Sequence, residues 1–141
     1  MKNISKKEWG DFHGSIDFND AFELIGGKSE EEIFSLIMKS PFLVAECLCF
    51  TNEVPYKNLL VIFSRFISRY HDSYEDIHII VDVFFREVYG NIISKNRILD
   101  DIIGEISSTF SFIVKNQERL GADIDIYGSY QVKYNEIKHA L

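Results

Sequence analysis

The stretch that decides the fold is PYKNLLVIFSRFISRYHDSYEDIHIIVDVFFREVY, residues 55–89. Within it Leu59, Phe63, Phe66, Tyr70, Tyr74, Ile77, Val81, Phe84 and Val88 follow one another at steps of three or four. An α-helix turns once in 3.6 residues, so this spacing lays all of them along one stripe. A half-buried strand would alternate with a period of two instead. The segment therefore predicts helix, ended by Gly90-Asn91. His71-Asp72-Ser73 interrupts it with residues that suit caps better than helix interiors. An unbroken helix of this length is also rare in a small domain. The reading favours two helices, with Asp72 or Ser73 capping the second.

The same period extends outward in both directions. Toward the N-terminus, Ser40-Pro41 opens a run over residues 41–50, with serine at the cap and proline in the first turn. Ser29-Glu30-Glu31-Glu32 is a capping box that starts a helix over 29–39. A helix over about 17–25 ends at Gly26-Gly27, and a short one covers 5–10. Toward the C-terminus, Ser94 is expected to cap a run through Ile98, Leu99, Ile102, Ile103, Ile106, Phe110 and Ile113, closed by Leu120-Gly121. Gly104 inside that run weakens it by about 1 kcal/mol relative to alanine. Ala122 to Tyr127 alternates and predicts an extended connector, and Tyr127, Tyr130, Tyr134 and Ile137 resume helical spacing. Ile77 to Val83 is the one place dense enough in β-branched residues to compete as a strand. Short loops make successive helices antiparallel neighbours. The expectation is a single all-α domain over residues 1–141, a bundle of about six to eight helices packed as antiparallel hairpins.

Composition agrees. The chain has 141 residues, about one domain's worth, and 46% of them are hydrophobic, enough for a real core. Lys+Arg number 15 and Asp+Glu 22, a net charge of −7. An acidic excess argues against general nucleic-acid binding, which needs surplus cations, and is compatible with a basic protein partner. No apolar stretch of signal-peptide length follows the N-terminal lysines, and no 18-residue uncharged run occurs, so a cytoplasmic protein without a membrane span is expected. Cys47 and Cys49 are two residues apart, which on a helix turns them about 200° from each other. They read as small buried thiols, not as a disulfide or a zinc site.

Catalytic motifs are scarce. Gly26-Gly27-Lys28-Ser29 ends like a phosphate-binding loop, but position 22, where the first glycine belongs, is Phe22. No Gly-x-Ser-x-Gly or Gly-x-Gly-x-x-Gly occurs, and His13-Gly14 stands alone. Two Glu-x-x-His pairs, Glu75/His78 and Glu136/His139, together with Glu46 and Glu105, follow the order of a ferritin-like di-metal site. His71, Glu75, His78 and Asp82 would share one face if the helix were continuous there. Against these stands the ordinary reading of solvated acids and histidines, which is preferred. The expectation is a non-enzyme that needs no cofactor or metal.

The charge map says more. Between Asp72 and Glu105 eight acids face three bases, Arg86, Lys95 and Arg97. The candidate partner-binding residues are Asp72, Glu75, Asp76, Asp82, Asp100, Asp101 and Glu105, with Tyr74 and Tyr89 as amphipathic anchors of the kind enriched at interfaces. Trp9 reads as a packing plug. In size, acidity and helical texture the chain resembles bacterial toxin-immunity proteins, in particular those paired with contact-dependent growth-inhibition toxins. That resemblance implies a cognate binder that occludes the active site of a delivered toxin, commonly a basic nuclease, with carboxylates standing in for phosphates. The alternatives are the ferritin-like di-metal protein and a helical adaptor that self-associates through its aromatic surface.

Overall fold

A computed structural model describes residues 4–9 and 16–141. Phe12 and the His13-Gly14 pair lie outside the described residues. Every regular element among the described residues is helical, as the spacing predicts. The α-helices of the described residues are α1 Lys6–Trp9, α2 Ile16–Ile25, α3 Glu30–Lys39, α4 Pro41–Glu46, α5 Glu53–Tyr70, α6 Ile77–Ile93, α7 Ile103–Lys115, α8 Ile124–Tyr127 and α9 Tyr130–Ile137. Single 3₁₀ turns follow α4 and α9. No described helix is long and apolar enough to cross a membrane. The chain divides into two compact units, Met1–Ile62 and Phe63–Leu141, and the division falls within α5.

In the first unit, α3 begins as its sequence requires. The Ser29 hydroxyl accepts from Glu32 N–H at 3.2 Å, and the Glu32 carboxylate accepts from Ser29 N–H at 3.0 Å. The box satisfies two donors that the first turn leaves without partners. Ile33, Phe34 and Ile37 line its buried face. Pro41 sits in the first turn of α4, although the Ser40 hydroxyl makes no cap bond. Trp9 is fully buried, with its ring edge-on to Phe22 at 5.7 Å, so it is the expected plug. The expectation of two buried thiols holds for Cys47 alone. The switch from α-helix to 3₁₀ at Cys47–Phe50 alters the side-chain register, and Cys49 is exposed.

In the second unit the long stripe breaks at His71-Asp72-Ser73 as expected, but the second helix starts later than expected, with Asp76 and not Asp72 or Ser73 at its N-cap. α5 stops at Tyr70, six residues of turn follow, and α6 starts at Ile77. α7 runs parallel to the end of α5. Ser64 donates to the Thr109 hydroxyl at 2.7 Å, and Arg65 reaches Glu105 at 3.3 Å. Further along both helices, the rings of His71 and Phe112 lie 4.8 Å apart. α6 and α9 also run parallel, through Phe85 on Tyr130 at 3.9 Å and Tyr89 to Glu136 at 2.7 Å. Phe85 stacks on Phe110 at 4.8 Å, tying this pair to α7.

Other boundaries also differ from the expectation: α7 ends at Lys115, short of the expected Leu120-Gly121. α6 continues through Gly90-Asn91 to Ile93, because Gly90 keeps helical backbone there and Asn91 donates back to Glu87 O at 2.8 Å. Ser94 is consequently the C-cap of α6, not the N-cap of the next helix. The helix ends in a Schellman motif: Asn96 N–H bonds Asn91 O at 2.9 Å and Lys95 N–H bonds Ile92 O at 3.0 Å. The motif needs a left-handed residue, and Lys95 supplies it at φ 60° where glycine is usual. α7 thus begins only at Ile103, which places Gly104 in its first turn and not in its interior. The expected extended connector is the short helix α8, capped by Asp123, whose carboxylate accepts from Asp125 N–H at 2.8 Å.

Candidate functional site

Asp82 was expected on the surface with its acidic neighbours, and the structure corrects this. It lies on the core side of α6 at 6% exposure. Its carboxylate accepts from the Tyr130 hydroxyl at 2.8 Å and from Arg86 Nε at 2.8 Å. Tyr130 is itself fully buried, and its backbone N–H bonds the Gln117 side-chain oxygen at 2.8 Å. The same Gln117 amide donates to Gly128 O at 2.7 Å. Burial first, then the charge of Asp82 and the bond to it, push the Tyr130 phenol far above its usual range. These groups form a satisfied internal network that fixes the start of α9 against α6 and α7. Asp82 is structural and is withdrawn from the surface set.

Tyr89 is likewise engaged within the unit. Its hydroxyl donates to Glu136 at 2.7 Å, its ring stacks on Phe85 at 6.0 Å, and Lys133 Nζ lies 5.7 Å from the ring centre. The bond to Glu136 raises its pKa, followed by desolvation. Tyr74 is half-buried, edge-on to Phe66 at 5.6 Å, with a pKa raised by burial and then by the charge of Asp76.

The remaining acids do not share one face. Asp72, Glu75 and Asp76 stand exposed in the turn between α5 and α6. Asp100, Asp101 and Glu105 stand exposed before and at the start of α7. Because α7 runs parallel to α5, these groups occupy opposite ends of the unit, separated by about 15 Å of α7 at 1.5 Å per residue. The second end has mixed charge. Arg65 pairs with Glu105, Arg97 holds Asp100 at 2.7 Å, and Lys95 and Arg97 line a crevice of about 470 Å³ there.

The first end is different. Gly121 lies against the His78 side chain, and Arg119 lies 3.8 Å from Asp72. The segment after α7 is thereby brought beside the start of α6. Residues 71–78 and 117–125 together carry Asp72, Glu75, Asp76, Glu118, Asp123 and Asp125 against Arg119, while Arg69 and Lys115 stand in the adjoining last turns of α5 and α7. All six acids are exposed. Ile124 and Ile126 are also exposed beside them, Ile126 at 73%. Sequence reasoning missed Glu118, Asp123 and Asp125, although the Asp-Ile-Asp-Ile alternation was the available signal. A strand-like connector gave no reason to place it beside residue 76.

The metal-ligand pattern does not assemble. Glu75 precedes α6, so Glu75 and His78 do not lie on one helix turn. Glu105 pairs with Arg65 and Glu136 with Tyr89, toward the opposite end from Glu75. Among the described residues no three His, Cys, Asp or Glu side chains gather as metal ligands. The face expected from His71, Glu75, His78 and Asp82 is also lost, because the helix break and the burial of Asp82 send them to different surroundings.

What the fold and surface define is an all-α protein with one strongly acidic, partly apolar end in its second unit. No family model, curated protein or solved structure matches the chain.

Proposed function

We propose that this protein is a cognate inhibitor of the immunity kind, acting in the cytoplasm by binding a cationic, nuclease-type toxin and occluding its active site. The observation that carries this reading is the end built from residues 71–78 and 117–125, where six exposed carboxylates outnumber the bases Arg69, Lys115 and Arg119 and flank exposed Ile124 and Ile126. Carboxylates that remain solvated avoid the desolvation cost of burial, and they create a negative field that speeds and orients encounter with a cation-rich surface. The isoleucines supply the apolar contact that charge alone does not. Steric occlusion makes and breaks no bond. In place of the single face expected over Asp72 to Glu105, the binding surface combines Asp72, Glu75 and Asp76 with Asp123 and Asp125. Tyr74 stands at its edge, while Asp100, Asp101 and Glu105 contribute only long-range field.

The test starts with the protein encoded immediately upstream of this chain. If that protein arrests growth when expressed inside the cell, co-expression of this chain should restore growth, and the purified pair should bind one to one. Restored growth without a complex, or a complex whose affinity ignores salt, contradicts the electrostatic reading.

A further inference from the structure

The first unit holds an apolar crevice that the surface of the second unit does not explain. It lies between α2 and the α4 segment with its 3₁₀ turn, and encloses about 130 Å³. Ala21, Leu24, Leu43 and Phe50 form its apolar walls, and Asp20 and Glu46 stand on its lining. Sites for drug-sized ligands run from about 300 Å³, so this crevice has room for one side chain. Leu43 remains 49% exposed, so this wall is open to solvent.

Charge selects the occupant. The charged residues that line it are Asp20 and Glu46, both acidic. An acidic or neutral polar side chain gains nothing there. A purely aliphatic one would leave both lining carboxylates without a counter-charge. Lysine and arginine match both features, since each combines an aliphatic stem with a cationic head. We propose that this crevice seats one lysine or arginine side chain of a cationic protein partner, its stem against Leu24, Leu43 and Phe50 and its head between Asp20 and Glu46. The inference rests on the same reading of a cationic partner, but on different residues in a different unit.

The test uses the full chain, labelled for amide NMR, and the capped pentapeptide Leu-Ala-Lys-Ala-Leu alongside its norleucine counterpart. At low salt the lysine peptide should shift the amides of Ala21, Leu24, Leu43 and Cys47 saturably. It should bind about fivefold more tightly than the norleucine peptide, the scale of two partly solvated ion pairs. The D20N/E46Q variant keeps side-chain shape at exposed positions, and it should bind both peptides equally. The D76K variant, altered only in the second unit, should bind the lysine peptide like the parent protein. Equal affinity for the two peptides, shifts confined to other residues, or no saturable shift at millimolar peptide would overturn the proposal. If the crevice fails while D76K still weakens the complex with the upstream protein, the acidic end stands alone. The reverse pattern would retain the crevice and discard that end.

Discussion

Asp76 is exposed at the N-cap of α6, whereas Asp82, six residues further along, is buried between the Tyr130 hydroxyl and Arg86. The two regions around them use the same side chain for opposite ends. Around Asp82 every polar group is matched, and Phe85, Phe110 and Tyr130 stack at 3.9 and 4.8 Å. Around Asp76 the carboxylates Asp72, Glu75, Asp123 and Asp125 are solvated and outnumber their cations. A buried charge is tolerable only when paired and hydrogen-bonded, while an exposed one remains available to another molecule. The contrast separates what holds the second unit together from what it offers to a partner.

The largest effect is expected in the buried region. F85A removes the ring that lies against both Phe110 and Tyr130, and should cost about 3–5 kcal/mol of stability in denaturant unfolding. D82A leaves the buried Tyr130 hydroxyl without its acceptor and should cost about 1–3 kcal/mol. Tyr130 also makes stability depend on pH. An unfolded tyrosine loses its proton near pH 10, while the folded protein holds the proton of Tyr130 to higher pH. Above about pH 10 the unfolded chain therefore binds fewer protons, and stability should fall as pH rises, whereas below that value this group contributes no slope. Y130F should flatten the alkaline decline. A loss of several kcal/mol on replacing Asp76 instead would break the contrast.

Much of this division was legible in the chain. The stripe from Leu59 to Val88 announced helix, the cap-like residues His71-Asp72-Ser73 announced the break though not the cap at Asp76, and the Ser29 capping box announced α3. The burial of Asp82 was not legible, because Tyr130, whose hydroxyl donates to it, lies 48 positions away and only tertiary packing brings it in. The end of α6 was hidden for a local reason. Its Schellman turn places Lys95 where glycine is the usual signal, and the real glycine at position 90 stays helical. K95G should therefore stabilise the protein by about 1 kcal/mol, by removing the left-handed penalty of a side chain with a Cβ. A destabilisation would show that the lysine side chain makes a contact that outweighs it. The acidic end was half legible: Asp72, Glu75 and Asp76 were visible as a cluster, but their neighbours Asp123 and Asp125 joined them only through the fold.

The smallest effect on stability belongs to the exposed region. E75K/D76K should change unfolding free energy by no more than about 0.5 kcal/mol, since neither carboxylate is buried or holds a core group. D101K, at the mixed-charge end, should do as little to stability and far less than E75K/D76K to binding.

The most direct measurement is the affinity for the upstream protein at low and at physiological salt, by calorimetry, for the parent chain and for E75K/D76K. A surface that works through its carboxylates predicts binding that weakens steeply with salt and falls by about tenfold or more in the double variant, with the fold intact. Affinity indifferent to both salt and charge reversal would contradict the account.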